Sequence, residues 1–437
     1  MSRDEPSTRH SPVAFIHGRV RRKMTTGQSP GPRPPPVQGK SIARLLIIAA
    51  LIFPLFGSFQ NALKPAIVHG PYLQNPTENS VTVIWFTNKD CTSWVEYGTG
   101  ESFASFPKFG SLVSVAKSGR HGLIEANTAR HEVKLGGLVP GKTYRYRVAS
   151  KEILQFAPYE VVYGDSIVSD IYQFRILDPK KGGFRFQVFQ DIHGDALRLN
   201  GLFQQPGWET ADLLFFNGDT LSSLDNEEAI FNGFLDFAAG RFAHNLPFIY
   251  VRGNHDTRGS LARRLGEYFP PREGRYFYSF DHGPVHFIIL DSGEDKPDDS
   301  PVYAGLADFD RYREAQAEWL KSEVQTVAFR KAAFRVVLVH MPPFGGGGKG
   351  TLAHGVDHLT KLWGPILNEG GVDLAICGHY HRLFKFAPEP GKNAFPVIGA
   401  PQDALIRADV TAASIDLKII DIKGTTLESL TVSAKRK

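Results

Sequence analysis

The chain has 437 residues, of which 42% are hydrophobic and 22% are charged, so it is long enough for more than one globular domain. Its formal net charge of +5 arises in residues 1–44, which carry nine Lys or Arg residues and two acidic residues, leaving 41 of the 50 basic and 43 of the 45 acidic residues for the rest of the chain. This balance gives the globular part no general electrostatic preference for nucleic acid, and two cysteines are too few for a disulfide framework.

Residues 1–63 are predicted to form a basic leader followed by a signal or anchor segment. Residues 45–56 (LLIIAALIFPLF) are apolar apart from the break at Pro54, and they directly follow the basic region. Twelve residues suit the hydrophobic part of a signal peptide, whereas a membrane-spanning helix needs about 20. We therefore expect an exported protein that is periplasmic, secreted or membrane-anchored, with membrane contact only through this segment.

Residues 64–176 are predicted to form a small all-β sandwich. Short alternating apolar segments, such as residues 80–87 (SVTVIWFT) and 143–148 (TYRYRV), are separated by Gly, Pro and Asn. Residues 138–146 (LVPGKTYRY) resemble the strand corner of fibronectin type III domains, where a Tyr hydroxyl bonds back to nearby backbone. No residue here has the spacing of metal ligands or of a nucleophile, so we expect a scaffold.

A second domain is expected over residues 184–437, after the linker at residues 178–183 (DPKKGG). Six apolar, strand-like segments lie between Phe184 and His381, and each is followed at once by polar residues. Helical patterns separate them, as at residues 227–237, 311–327 and 356–367. Interleaved strands and helices indicate an α/β layer arrangement.

Five of the six segment ends carry side chains that can bind metals. These side chains are Asp191 and His193, Asp219, Asn254, His340, and His379 and His381. Short continuous apolar runs are typical of buried strands, and ligands bind just beyond the carboxyl ends of strands in open sheets. We therefore expect these seven side chains to converge on one edge.

The seven side chains define a mixed nitrogen and oxygen site without thiolate. This mixture suits Fe, Mn or Zn better than Ca²⁺ or a soft metal. Asp219 follows Gly218, which allows close backbone approach, and its two carboxylate oxygens can bridge two cations. Seven ligands with one shared fit two metal ions. A lone strand-end Asp or His is usually structural, so the prediction depends on the ordered combination.

The combination resembles a known superfamily. The series Asp-x-His, Gly-Asp, Gly-Asn-His-Asp, a strand-terminal His and Gly-His-x-His is similar to that of the calcineurin-like metallophosphoesterases. The preceding sandwich, with PYLQ at residues 71–74, resembles the N-terminal domain of purple acid phosphatases. The resemblance implies an α/β four-layer sandwich (α-β-β-α) over residues 184–437, preceded by an all-β fibronectin type III-like sandwich over residues 64–176.

The resemblance also implies two ligand sets with Asp219 in both. Metal 1 would be held by Asp191, His193, Asp219 and His381. Metal 2 would be held by Asp219, Asn254, His340 and His379.

The resemblance implies a catalytic role for two further residues. Two metal ions lower the pKa of a shared water, and the bridging hydroxide would be the nucleophile at phosphorus. His255 would contact the phosphoryl oxygen or protonate the leaving alkoxide, with Asp256 fixing the orientation of its ring. The alternative for His255 is a role as a hydrogen-bonding partner of the ligands.

The chain departs from the purple acid phosphatase pattern at two positions. The pattern has Gly where this chain has His193, and a ligand Tyr where this chain has Ser222. Because no tyrosinate can bind iron at residue 222, the visible charge-transfer band should be missing. We therefore expect a colourless protein.

Three loop features remain. The glycine-rich loop at residues 340–350 is predicted to be a flexible lid, with substrate contact through Lys349 as a hypothesis. Residues 295–303 (DKPDDSPVY) are expected to form a solvated loop. Asp291 is expected to be a turn residue, with a supporting role at the site as the alternative.

The sequence thus predicts an exported metallohydrolase of small phosphate esters, with phosphomonoesters favoured. A phosphodiesterase or nucleotidase of the same superfamily is the first alternative. A non-enzymatic exported binding protein with a structural metal site is the second. No specific nucleic-acid binding is expected.

Overall fold

The structure is a computed structural model that describes residues 64–100, 113–345 and 353–435. The predicted leader and signal or anchor segment lie outside the described residues. So do residues 346–350 of the predicted lid, which include Lys349. Among the described residues, no helix is both long and apolar enough to cross a membrane.

The N-terminal part is all β, as predicted. Its strands are β1 (Ile67–Gln74), β2 (Val81–Gly98), β3 (Ser114–Ala116), β4 (Gly119–Arg120), β5 (Leu123–Ile124), β6 (Thr128–Leu135), β7 (Thr143–Ala157), β8 (Glu160–Val168) and β9 (Tyr172–Arg175). Alternate residues of β2 and β7 pack into one core that includes Trp85 and Tyr146. The predicted strand corner is confirmed, because the Val139 amide donates to the Tyr144 hydroxyl at 3.0 Å.

The rest of the chain builds two large sheets. The first sheet contains β10 (Phe184–Phe189), β11 (Leu213–Asn217), β12 (Phe248–Val251), β19 (Ala404–Val410), β20 (Ser414–Asp421) and β21 (Thr426–Ser433). The second sheet contains β13 (Tyr278–His282), β14 (Val285–Ile289), β15 (Phe334–Leu338), β16 (Leu374–Cys377), β17 (Phe384–Phe386) and β18 (Val397–Gly399). β10, β11 and β12 are parallel neighbours, as are β14, β15 and β16.

Helices cover the outer faces of both sheets. The α-helices are α1 (Ala196–Leu202), α2 (Glu227–Ile230), α3 (Asp236–Ala238), α4 (Phe309–Glu323), α5 (Val327–Lys331), α6 (His354–Leu362) and α7 (Gly364–Gly370). Phe231–Leu235 and Ala239–Ala243 are π-helical turns that extend α2 and α3. Short 3-10 helices lie at Trp208–Thr210, His255–Thr257, Ala262–Glu267 and Pro301–Tyr303.

The layers follow from where the apolar side chains are buried. Phe215 and Phe287 belong to a core between the two sheets. Phe216 packs with α1, α2 and α3 on the outside of the first sheet. Val337 packs with α4 to α7 on the outside of the second. Strands such as β11 are therefore buried on both faces, which explains their continuous apolar sequence and confirms the predicted four-layer α-β-β-α fold.

The N-terminal strands continue the first sheet. β1 runs parallel to β12, with Gln74 opposite Phe248. The buried Tyr72 hydroxyl donates to the Tyr268 carbonyl at 2.8 Å, and the Tyr146 hydroxyl donates to the His244 carbonyl at 2.8 Å. These contacts join the N-terminal β-sandwich to the α/β part of the chain.

Candidate metal centre

The predicted ligands follow strands of both sheets. Four follow parallel strands of the first sheet: Asp191 and His193 (β10), Asp219 (β11) and Asn254 (β12). Three follow strands of the second: His340 (β15), and His379 and His381 (β16). Because the two sheets stack face to face, these strand ends meet at one edge of the sandwich. The structure brings all seven side chains together.

One group of ligand atoms surrounds a point next to His193. The Nε2 atoms of His193 and His381 lie 3.1 Å apart. His381 Nε2 lies 3.3 Å from Asp191 Oδ1, and His193 Nε2 lies 3.8 Å from Asp219 Oδ2. These four side chains are close enough to hold one metal ion, and they are the set predicted for metal 1.

A second group lies on the other side of Asp219. His340 Nε2 lies 3.1 Å from Asp219 Oδ2, and His379 belongs to the same group. Asn254 Oδ1 adds a neutral oxygen 3.1 Å from His379 Nδ1. The buried His340 Nε2 has no hydrogen-bond partner among the described residues, as expected for an atom that binds a cation. The residues present therefore fit two metal ions, with Asp219 in both groups.

Backbone geometry at the ligands is unusual. Five of the seven predicted ligands have positive φ angles: Asp191 (53°), His193 (55°), Asp219 (50°), His379 (73°) and His381 (52°). Residues other than Gly rarely adopt this left-handed conformation, which costs of order 1 kcal/mol or more and is concentrated at functional sites. The turns after β10, β11 and β16 thus direct these side chains toward one point. The positive φ angles that this requires destabilise the local backbone.

Hydrogen bonds fix the ligands in orientations that suit metal binding. His340 Nδ1 donates to the Asn217 carbonyl at 2.9 Å, which leaves Nε2 facing Asp219. The His255 amide donates to Asp219 Oδ1 at 2.8 Å. Gly218 makes room for the His340 ring, because a Cβ atom at residue 218 would lie 2.3 Å from the ring Cγ. The prediction that glycine at this position allows close approach is confirmed.

The electrostatics of the centre favour cations. Burial opposes the charged form of His340, but the Asp219 carboxylate outweighs it and raises the pKa of the imidazole to about 10. Burial likewise opposes the Asp219 carboxylate, yet His340 holds its pKa well below the usual range. Burial lowers the pKa of His193 and of His379 to about 4, which leaves both neutral and able to coordinate. A bound cation would replace the proton on His340.

His255 lies at the edge of the ligand cluster. Its Nε2 is 4.0 Å from Asp219 Oδ2, and its ring packs edge-on against that of His193 at 4.6 Å between centroids. Its Nδ1 donates to the Ser222 carbonyl at 2.9 Å, and Arg258 Nη1 donates to its Nε2 at 3.0 Å. These contacts hold the ring with Nε2 between Arg258 and the ligand cluster.

The predicted role of Asp256 as the residue that orients the His255 ring is wrong. The Asp256 side chain is fully buried, and its carboxylate binds backbone amides of two loops rather than this ring. Its Oδ1 accepts from the Leu221 amide at 3.2 Å, and its Oδ2 accepts from the Gly253 amide at 2.9 Å. Asp256 thus ties together the loops that follow β11 and β12, whereas the Ser222 carbonyl orients His255.

Arg258 is a site residue that the strand-end pattern did not find. It forms two hydrogen bonds of 2.8 Å with the buried Glu294 carboxylate, so its guanidinium is held beside His255. His255–Thr257 is a 3-10 helix, in which residues three apart lie above one another. The spacing of three residues between His255 and Arg258 could therefore have indicated that the two side chains lie side by side.

Asp291 and the loop after it are more ordered than expected. Asp291 Oδ1 accepts from the Gly293 amide at 3.0 Å, as expected for a turn residue. Its Oδ2 also forms a buried ion pair of 2.6 Å with Arg252, which precedes the Gly253–Asn254 turn. The expectation of a solvated loop at residues 295–303 is wrong at Asp295, which is buried and lies 3.6 Å from Arg258.

Comparisons with known proteins agree with this geometry. Residues 184–383 match the family described as calcineurin-like phosphoesterase, and residues 69–176 match the purple acid phosphatase N-terminal domain. The chain is 26% identical over 160 residues to acid phosphatase A of Cryphonectria parasitica, which covers 36% of this chain and 30% of that protein. It is 25% identical over 350 residues to acid phosphatase type 7 of Homo sapiens, which covers 74% of this chain and 71% of that protein.

A solved structure gives the same fold. A purple acid phosphatase from yellow lupin seeds superposes with a TM-score of 0.62 at 15% identity, covering 84% of this chain and 74% of that chain. The fold and the strand-end site define a calcineurin-like metallophosphoesterase. Residues 69–176 add the N-terminal domain of the purple acid phosphatases in front of it, and the chain is similar to acid phosphatase type 7 over 74% of its length. The match to the calcineurin-like phosphoesterase family indicates a hydrolase.

Proposed function

We propose that the protein hydrolyses phosphate monoesters with the help of two metal ions that share Asp219. The observation that carries this proposal is that Asp219 belongs to both groups of ligand atoms, next to His193 and His381 on one side and His340 and His379 on the other. Two cations so placed would supply an activated water and neutralise charge on the attacked phosphoryl group. The mixed nitrogen and oxygen ligands suit Fe, Mn or Zn.

His255 is proposed to contact the phosphoryl group. Its Nε2 faces the cluster, and the Ser222 carbonyl fixes its ring through Nδ1. The Arg258 guanidinium beside it carries a permanent positive charge, since Arg stays protonated in proteins. Together these two residues would bind a phosphoryl oxygen and stabilise the charge that develops on the leaving group.

The leaving group is proposed to occupy a cavity of about 680 Å³ that Arg258 also lines. The wall of this cavity combines apolar side chains, among them Leu265, Val302 and Phe309, with the polar Tyr276 and Lys296. A cavity of this size and mixed character holds small organic molecules. A monoester with a partly apolar leaving group matches it.

Turnover of two chromogenic substrates tests the proposal. The purified chain should hydrolyse p-nitrophenyl phosphate faster than bis(p-nitrophenyl) phosphate, lose both activities after chelation, and regain them with Fe, Mn or Zn. Faster diester turnover would favour the phosphodiesterase alternative. A metal-loaded wild type without any turnover would contradict an enzymatic role and favour a binding protein with a structural metal site.

We also propose that the protein acts outside the cytoplasm, because of the apolar segment at residues 45–56 behind a basic leader. Cell fractionation with sequencing of the mature N-terminus tests this. Recovery of the full-length chain in the cytoplasm only would contradict it.

A further inference from the structure

A second cluster of metal-binding side chains lies outside the centre described above. It consists of Asp310 in the first turn of α4, and of His354 and His358 in α6. The two histidines are four residues apart in one helix, so both lie on the same face, toward α4. The cluster shares no residue with the candidate metal centre.

The three side chains meet at short distances. His354 Nε2 lies 2.8 Å from Asp310 Oδ1 and 3.0 Å from Oδ2, and His358 Nδ1 lies 3.1 Å from Oδ1. A tetrahedral zinc ion with bonds of about 2.0–2.1 Å holds its ligand atoms roughly 3.3 Å apart. Outward shifts of a few tenths of an ångström would therefore suffice to admit an ion.

The hydrogen bonds of the cluster leave ligand atoms available. His358 Nδ1 is buried and has no hydrogen-bond partner in the part of the chain that the structure describes. Arg313 Nη1 donates to Asp310 Oδ1 at 2.7 Å, whereas Asp310 Oδ2 lies 3.0 Å from His354 Nε2.

We propose that Asp310, His354 and His358 form a third metal site, which takes Zn²⁺ with water as its fourth ligand. The set of two imidazoles and one carboxylate is typical of zinc sites that keep one position open. The side chains are 16–33% exposed, so solvent reaches the cluster.

The site would join two segments that border the candidate metal centre. α4 follows the loop of Asp291, and the Gln316 side chain of α4 bonds to both the amide and the carbonyl of that residue. α6 follows the segment that begins with His340 at the end of β15. Zinc between the helices would thus stabilise the folded state without contacting the phosphoesterase site.

Zinc titration of the full chain tests the proposal. Equilibrium dialysis with Zn²⁺ should give one equivalent more for the wild type than for His354→Gln, and one more than for His358→Gln. The control is Asp357→Asn, an exposed change in the same helix, which should bind as many equivalents as the wild type. The test uses the difference in bound zinc between the wild type and each variant. This difference does not depend on how many ions the Asp219 centre binds.

Stability and activity provide the second readout. Added Zn²⁺ should raise the unfolding temperature of the wild type more than that of His354→Gln, while both proteins hydrolyse phosphate esters at the same rate. Equal zinc content in the wild type and in both glutamine variants would overturn the proposal. If the variants fail to fold, a zinc content of the wild type that Asp219→Ala reduces to zero would overturn it as well.

Discussion

His340 and Asp219 come from different sheets and meet at the centre of the site, with Nε2 and Oδ2 3.1 Å apart and both side chains buried. Asp219 follows β11 in the first sheet, and His340 follows β15 in the second. A metal ion bound by both would therefore also hold the two sheets together at this edge. This relationship links the chemistry of the site to the stability of the fold.

Replacement of His255 should slow catalysis without removing the metals. His255 Nε2 lies 4.0 Å from Asp219 Oδ2, and the imidazole is not one of the proposed metal ligands but is proposed to bind the phosphoryl group. We expect His255→Ala to lower kcat by about 10²–10⁴-fold, the usual contribution of a proton-transferring side chain. Metal content measured on the same sample should equal that of the wild type. An unchanged kcat would limit His255 to a structural role.

Asp256→Asn should destabilise the loops that carry the ligands. An amide in place of the carboxylate can accept only one of the hydrogen bonds now donated by Leu221 and Gly253. We expect the free energy of unfolding to fall by about 1–3 kcal/mol, as for other buried groups left unpaired. Chemical denaturation measures this change. Full stability together with a shifted pH–rate profile would instead indicate a direct role next to His255.

The iron-loaded protein should be colourless. The residue at position 222 is Ser, and its hydroxyl donates to the His193 carbonyl at 2.8 Å, so it supplies no phenolate to a metal. A visible absorption spectrum of the protein loaded with iron, with iron content measured in parallel, checks this prediction. An intense visible band at two irons per chain would show that another group supplies the charge-transfer ligand.

His131 should make the fold sensitive to mild acid. Its side chain is buried beside Trp85, and burial lowers its pKa from 6.5 to about 4, with a smaller contribution from Arg130. The unfolded chain therefore binds more protons than the folded chain between these values, and stability is lost as the pH falls from about 6.5 toward 4. Between pH of about 7.5 and about 5, the loss through this group is on the order of 2 kcal/mol.

Denaturation of the wild type and of His131→Gln at both pH values measures this contribution. The variant should lose less free energy of unfolding on acidification, because glutamine does not titrate. An equal loss in both proteins would assign the acid sensitivity to other groups.

Much of the site could be predicted because its ligands lie at strand ends. Buried parallel strands have continuous apolar sequences, so the polar residue that ends each run is visible, as at Asp219 after β11. The π-helical turn after α2 and the contact of β1 with β12 depend on tertiary packing, so no sequence pattern indicated them. The contact between His255 and Ser222 was missed for the same reason, since the turn after β11 sets it.

The clearest error concerned Asp256. A carboxylate next to a histidine in sequence suggested a pair of side chains, but adjacent residues in a 3-10 helix point in different directions. The cluster of His354 and His358 did carry a sequence signal in its spacing of four residues. Its partner Asp310 lies 44 residues away, and only the packing of α4 on α6 reveals it.

In the metal-loaded protein, Asp219 should be shared by two metal ions. Anomalous X-ray scattering from crystals of the metal-loaded protein tests it most directly. We expect two peaks about 3.5–4 Å apart on either side of the Asp219 carboxylate, one next to His193 and His381 and the other next to His340 and His379. A single peak at this edge of the sandwich, or an Asp219 carboxylate turned away from both ions, would contradict the account.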